Sequence, residues 1–161
     1  MGGVMFCSDA DLSGDSVIFL AHQWNFFPGK QYTPSDFNEK SVTGGTFLTL
    51  GSFGNFSLGS TSEASNGTAT YRLTLSLPDT ARTYSLYLPE IFSAYTLYLN
   101  EEKVCSQGNP DPAHYQDLIG NKEISFTRLR NRSYHNYCHQ LFAYLQWHHL
   151  STGLWNSYCH P

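Results

Sequence analysis

The last part of the chain concentrates side chains that commonly bind metals. Five of the seven histidines lie from residue 135 onward, with two of the four cysteines. Imidazole and thiolate are the preferred zinc ligands, but the spacing matches no finger or ribbon. Neighbours on a strand, such as His148 and His149, point to opposite faces. We therefore expect packed or exposed imidazoles rather than a zinc site. The group comprises His135, Cys138, His139, His148, His149, Cys159 and His160.

Acid–base and nucleophilic catalysis have weaker support. Glycoside hydrolysis needs a positioned pair of carboxylates, and the acidic residues are scattered along the chain, as Asp36, Glu63, Glu90 and Asp117 illustrate. A serine hydrolase of the elbow type needs Gly-x-Ser-x-Gly, and residues 51–54 fail that spacing. The sequence therefore predicts a protein that is not an enzyme.

Aromatic and amide side chains fit a binding role instead. Flat rings cover the apolar face of a sugar, while polar side chains bond to its hydroxyl groups. Two tryptophans near the end are candidate platforms, whereas Trp24 begins a strand and is expected in the core. We predict a carbohydrate or similar small ligand. The candidate ligand-binding residues are Trp147, His148, His149, Trp155, Gln107 and Asn109.

No cofactor is expected, although a structural calcium ion could bind the acidic stretch that contains Asp9, Asp11 and Asp15. Four cysteines allow three pairings into two disulfides, and their spacing matches no known framework. We expect free thiols.

Composition excludes several classes of protein. The net charge is −4 and no run of Lys or Arg occurs, so a nucleic-acid partner is not expected. No stretch approaches the length of apolar sequence that spans a membrane, and no signal peptide is visible at the start.

Alternating side chains define the fold class. Apolar and polar residues alternate over 69–77, 84–88 and 95–99, the period of a half-buried strand. Three such strands, each ended by a turn, are typical of a sandwich or barrel. Shorter strands are expected at 16–20, 46–50, 124–126 and 141–147, whereas 128–139 has no clear period. The prediction is an all-β jelly-roll sandwich of two antiparallel sheets, with residues 1–15 as an extended lead-in and 16–161 as one domain.

Four motifs in order resemble those of a known family. Residues 24–37 carry Trp, an aromatic pair and then Pro-x-Asp-Phe; residues 67–73 read Gly-x-Ala-Thr-Tyr-Arg-Leu; residues 93–100 read Ser-Ala-Tyr-x-Leu-x-Leu-Asn; and residues 145–155 carry His, Ser-x-Gly and Leu-Trp. They resemble the jelly-roll extracellular sensor domain of bacterial seven-transmembrane receptors with diverse intracellular signalling modules. This domain is similar to the galactose-binding-like domains of glycoside hydrolases.

The resemblance implies a non-catalytic sensory domain, periplasmic or at the cell surface, whose partner is a membrane-spanning signalling module of the full-length protein. The alternative is an accessory carbohydrate-binding module of a glycoside hydrolase. One departure concerns the family's Asn-Gly hairpin, since Glu101 stands where Gly is expected after Asn100. A two-residue turn would be strained there, so a longer turn is expected.

Overall fold

The computed structural model describes most of the chain, and for 138–147 and 158–160 it describes the backbone pairing. The described residues are 3–14, 16–39, 42–48, 67–80, 82–88, 91, 93–111, 113–116, 118, 120–128, 138–147 and 158–160.

The larger of two sheets contains seven of the described strands. Its order is β4-β3-β5-β10-β7-β8, and β1 lies beside β5. Neighbouring strands are antiparallel except β1 and β5, which run parallel. The strands are β1 (Val4–Phe6), β3 (Trp24–Pro28), β4 (Thr46–Leu48), β5 (Gly67–Ser76), β7 (Ala94–Leu99), β8 (Glu102–Gln107) and β10 (Cys138–Trp147).

The smaller sheet contains four described strands in the order β2-β11-β6-β9, all antiparallel to their neighbours. These strands are β2 (Ile18–Phe19), β6 (Arg82–Leu88), β9 (Lys122–Arg128) and β11 (Tyr158–His160). The chain is therefore an all-β sandwich, as the alternation of side chains predicts.

The core lies between the sheets and is filled by the alternating residues. Leu73, Leu86 and Leu97, each from a strand predicted by its period of two, are at most 2% exposed. Trp24 is also buried, and its indole N–H donates to the Leu20 carbonyl oxygen at 2.6 Å. These side chains face inward because a strand with one apolar face must bury that face against another layer.

Residues within the expected lead-in take part in the sandwich. The strand β1 pairs with the same edge of β5 as β3 does, but further along β5. After β1, Cys7 and Leu12 are buried in the core. The parallel pairing places Met5 against the core although the segment is mostly polar.

One short helix, α1 (Pro34–Glu39), occurs in the described part of the chain. Proline is favourable at the first helical position because it has no N–H to satisfy. The Thr33 N–H donates to Asp36 Oδ2 at 2.9 Å, and the Asp36 N–H donates to the Thr33 carbonyl at 3.1 Å, a reciprocal cap. None of the helices described is both long and apolar enough to cross a membrane.

The expectation of a long turn after Asn100 is wrong. Leu99 pairs with Glu102, so the loop between β7 and β8 contains two residues. Asn100 has φ of +58° while Glu101 is not in the left-handed region. Asparagine tolerates the positive φ, and a turn with positive φ at its first central position needs no glycine at the second.

The other short strands form near their predicted positions: β2 and β4 cover parts of 16–20 and 46–50, and β9 and β10 contain all of 124–126 and 141–147. The strand β10 lies at the centre of the larger sheet, between β5 and β7. Residues 129–137, within the stretch of unclear periodicity, lie outside the described residues.

Candidate functional site

An open groove of about 520 Å³ lies on the outer face of the larger sheet. Its floor is formed by outward-facing residues of β7 and β8, and its two walls are formed by the segment after β3 and the loop after β8. The lining is rich in hydroxyl and amide groups and includes two tyrosine rings. The lining residues are Gln31, Tyr32, Thr33, Thr96, Tyr98, Lys103, Ser106, Gly108, Asn109, Pro110 and Asp111.

A β-bulge places two polar residues of β8 on the groove floor. Ser106 pairs with Thr96 and Lys103 pairs with Tyr98, while Val104 is the extra residue between them. Residues three apart on a regular strand face opposite sides of the sheet. The bulge reverses this alternation, so that both Lys103 and Ser106 line the groove.

Thr70 on β5 holds the first wall. Its side-chain oxygen accepts a hydrogen bond from the Tyr32 N–H and donates one to the Lys30 carbonyl, each at 2.8 Å. The residue is completely buried beneath this segment. A single hydroxyl group therefore satisfies two backbone groups of the wall.

Gln107 at the end of β8 holds the second wall. It is 3% exposed, and its amide nitrogen donates to the Leu118 carbonyl at 2.8 Å. Its amide oxygen accepts from the Tyr95 hydroxyl at 3.3 Å. Gln107 thus links the core of the sandwich to the loop that follows β8.

The loop is closed at its base by paired backbone groups. The Asn109 N–H donates to the Gln116 carbonyl at 2.7 Å, and the Gln116 N–H donates to the Asn109 carbonyl at 3.0 Å. Asp111 accepts from the Ala113 N–H at 3.0 Å and lies 2.9 Å from Nδ1 of His114. These hydrogen bonds hold the pKa of the Asp111 carboxyl below its usual value, the one from His114 contributing most. The wall therefore presents a charged carboxylate at neutral pH.

The aromatic rings of the groove have different supports. Tyr32 makes edge contacts with Phe27 and Phe37, with each pair of ring centroids 5.5 Å apart. This cluster fixes the Tyr32 ring at one wall. Tyr98 is half-buried on the floor and faces away from the core, because its neighbours Leu97 and Leu99 pack inward. Rings that are fixed or half-buried lose little entropy when a ligand stacks on them.

The backbone register brings three of the predicted ligand-binding residues to one end of the larger sheet. Asn109 lines the groove, and Gln107 lies beneath it with its amide bonded inside the protein. Trp147 ends β10, where it pairs with Gly67, and the preceding residue pairs with Ala94. The side chain of Trp147, together with His148, His149 and Trp155, lies outside the described residues.

Sequence reasoning missed Tyr32, Tyr98, Lys103 and Asp111. Tyr98 carries a usable signal, since it lies on the polar face of an alternating strand, where packing in the core does not require a large ring. The others depend on the bulge and on the two loops that meet over the sheet, and neither has a signature in the sequence.

The described residues contain no group of three or more His, Cys, Asp or Glu side chains that could hold a metal ion. Asp11 accepts from the N–H and the hydroxyl of Ser8 at 2.8 and 2.6 Å, which uses its carboxylate in a local turn. Asp15 lies outside the description. Cys7 and Cys105 have free thiols, and burial raises the pKa of both.

No protein-family model matches the chain, and no curated protein matches it. Solved structures do. A β-glucuronidase from Faecalibacterium prausnitzii has a TM-score of 0.58 and 13% identity over 83% of this chain and 21% of its own. A Ruminococcus gnavus β-glucuronidase in complex with D-glucaro-d-lactam has a TM-score of 0.50 and 15% identity, with coverage of 83% and 22%.

A β-glucosidase from Kluyveromyces marxianus also aligns, with a TM-score of 0.50 and 12% identity over 86% of this chain and 14% of its own. The likeness is one of fold. The chain spans about a fifth of the length of the glucuronidases, so the likeness covers only that part of them.

Proposed function

We propose that this chain is a non-catalytic carbohydrate-binding domain whose ligand lies in the groove over β7 and β8. The observation that carries the proposal is the combination, in one open groove, of the Tyr98 ring, the Asn109 amide and the Asp111 carboxylate. A ring covers the apolar face of a pyranose, an amide donates and accepts, and a carboxylate accepts from hydroxyl groups. The likeness to parts of three glycosidases supports a carbohydrate-related role.

The groove also supports the absence of catalysis. Among its described lining residues Asp111 carries the sole carboxylate, whereas hydrolysis of a glycosidic bond uses two. Both oxygens of Asp111 are engaged by its own loop, and its pKa is lowered rather than raised as a general acid requires. A binding role needs neither feature.

Two settings fit such a domain. The first is an accessory module of a glycoside hydrolase, which the structural likeness supports because this chain aligns with only 14–22% of the length of the three glycosidases. The second is an extracytoplasmic sensory domain tethered to a membrane-spanning signalling module, which the order of the four sequence motifs supports. In a sensor, the ligand must favour one of two arrangements of the receptor to pass on a signal.

The binding function is tested by titrating the protein with glucose, galactose, mannose, glucuronic acid and their common disaccharides. Amide chemical shifts in NMR spectra are the readout. We expect at least one sugar to shift resonances of groove residues saturably. Tyr98→Ala should weaken that binding about tenfold or more, because one stacking ring is lost. Asn109→Ala should weaken it by a smaller factor.

The matched control is Tyr87→Ala, which removes a half-buried tyrosine from the outer face of the smaller sheet. It should leave affinity unchanged. The proposal would be refuted if sugars shifted only resonances outside the groove, or if no sugar caused any shift. The setting is decided separately by sequencing the native gene on both sides of this segment: a catalytic domain supports the module, and transmembrane helices support the sensor.

A further inference from the structure

Each wall of the groove is hydrogen-bonded to one buried polar side chain of the larger sheet. Thr70 is completely buried and bonds to the backbone of Lys30 and Tyr32, whereas Gln107 is 3% exposed and bonds to the Leu118 carbonyl in the loop after β8. Among the described residues, Nε2 of Gln31 in the first wall donates a long hydrogen bond to the Pro110 carbonyl in the second wall, at 3.4 Å. Each wall also has its own attachment to the sheet.

Both attachments use the side chain as a donor and as an acceptor. The Thr70 hydroxyl donates one hydrogen bond and accepts another, and the Gln107 amide does the same from its two ends. Removing one partner of such a hydrogen bond leaves the other buried and unsatisfied. The free-energy cost of that unsatisfied group is larger than the net stabilisation that an average hydrogen bond gives. The first wall is also held by the ring contacts of Tyr32 with Phe27 and Phe37, so the hydrogen bonds to Thr70 add to an apolar attachment there.

We propose that Thr70 and Gln107 are positioning residues that keep the two walls of the groove in place before a ligand binds. The attachment of the walls follows from the structure, but its effect on ligand affinity rests on the proposed function. If both hold, affinity depends on two residues that do not contact the ligand. A preorganised wall avoids the entropy cost of ordering on binding. Loss of either side chain should therefore weaken binding without removing a contact.

The first test is hydrogen exchange of individual backbone amides and needs no ligand. Thr70→Val removes the hydroxyl and keeps the shape, and should speed exchange of the Tyr32 amide about fivefold or more, the effect of one net hydrogen bond. Gln107→Met should do the same for the amides of Asn109 and Gln116, which close the second wall. If Gln107→Met fails to fold, Gln107→Glu retains an acceptor for Tyr95, while the ionised carboxylate cannot donate to the Leu118 carbonyl and adds the cost of a buried charge.

Two matched controls separate positioning from general stability. Thr74→Val makes the same change at a buried position of the same strand, and Gln116→Met makes the same change at an exposed residue that contributes its backbone to the loop. Neither should alter exchange at Tyr32 or Asn109. Equal acceleration throughout the sandwich in Thr70→Val, or unchanged exchange in both walls, would overturn the inference.

The second test measures the affinity of each variant for whichever sugar binds the wild-type protein. Thr70→Val and Gln107→Met should each weaken binding about fivefold or more, matching their effects on exchange. Loosened walls with unchanged affinity would refute the positioning role while leaving the binding function standing. Loosened walls in a protein that binds no sugar would support the attachment of the walls and refute the carbohydrate function.

Discussion

Gly108 lies so close to Gln116 that a methyl group on its α-carbon would overlap the Gln116 carbonyl oxygen. The same methyl group would come within 3.0 Å of Cβ of Ala94, at the start of β7. Gly108 also has φ of +65°, a conformation that strains other residues. The glycine therefore lets the chain leave β8 and close the groove loop in one step.

The first prediction concerns this approach. Gly108→Ala should lower the free energy of unfolding by more than the roughly 1–2 kcal/mol that a positive φ costs an alanine. Gly29→Ala is the control, because Gly29 has φ of +66° but no heavy atom within 4 Å of an added Cβ. Urea unfolding of Gly29→Ala measures the cost of the positive φ alone, and urea unfolding of Gly108→Ala measures that cost plus the overlap with Gln116. Equal losses would mean that the contact with Gln116 contributes nothing.

The second prediction concerns the hairpin between β7 and β8. Asn100→Gly should retain stability, whereas Asn100→Ala should lose about 1–2 kcal/mol because alanine is disfavoured at positive φ. Glu101→Ala is the control, since its φ is not positive, and it should change stability little. A similar loss for the alanine variants at both positions, measured by thermal unfolding, would contradict this account of the turn.

The third prediction concerns the core. Leu73 is fully buried between the sheets, and Leu73→Ala should cost about 2–5 kcal/mol through lost burial and a cavity. Leu118 is 60% exposed, and Leu118→Ala should cost under about 0.5 kcal/mol. Denaturant unfolding compares the two variants by their midpoints, provided that the dependence of the unfolding free energy on denaturant concentration is the same in both. Comparable losses would place Leu73 outside a shared interior.

The fourth prediction concerns pH and the second wall. Because hydrogen bonds lower the pKa of Asp111 in the folded loop, the loop gains stability above the ordinary value of 3.8. That contribution is lost as pH falls below 3.8 and the folded carboxyl takes up a proton. The Ala113 amide resonance should therefore shift with a midpoint below 3.8, and Asp111→Asn should abolish the shift. A midpoint at or above 3.8 would contradict the hydrogen bonds that Asp111 accepts in the folded loop.

The fifth prediction concerns the free thiols. Burial raises the pKa of Cys7 and of Cys105, so the reactive thiolate form is scarce at pH 8. In variants that retain one of these cysteines and carry serine at the other three positions, a disulfide reagent should react more slowly than with free cysteine. Unfolding in urea should remove the difference. Equal rates in the folded state would show that the thiol is accessible and unperturbed.

The strands of the core could be predicted because each contains its own evidence. The alternation around Tyr71, Leu86 and Leu97 is local, and burial of one face follows from it whatever the partner strand is. The same reasoning identified Trp24 as a core residue. The parallel contact of β1 was not predictable, since residues 4–6 have no clear period and gain their place from the edge of β5.

The candidate site was predictable only in part. Asn109 was selected as an amide in a loop after a strand, and the structure places it in the groove. Gln107 was selected for the same reason, but the structure buries its amide beneath the wall. The sequence does not show that the last residue of β8, Gln107, faces the core while Asn109 in the following loop faces the groove.

By itself the sequence determined the class of fold and the main strands. The tertiary structure alone decided where the groove forms. A single bulged residue, Val104, turns Lys103 and Ser106 to the same face, and loops from distant parts of the chain meet over β7. Such relationships arise from pairing between segments far apart, which local patterns of side chains do not encode.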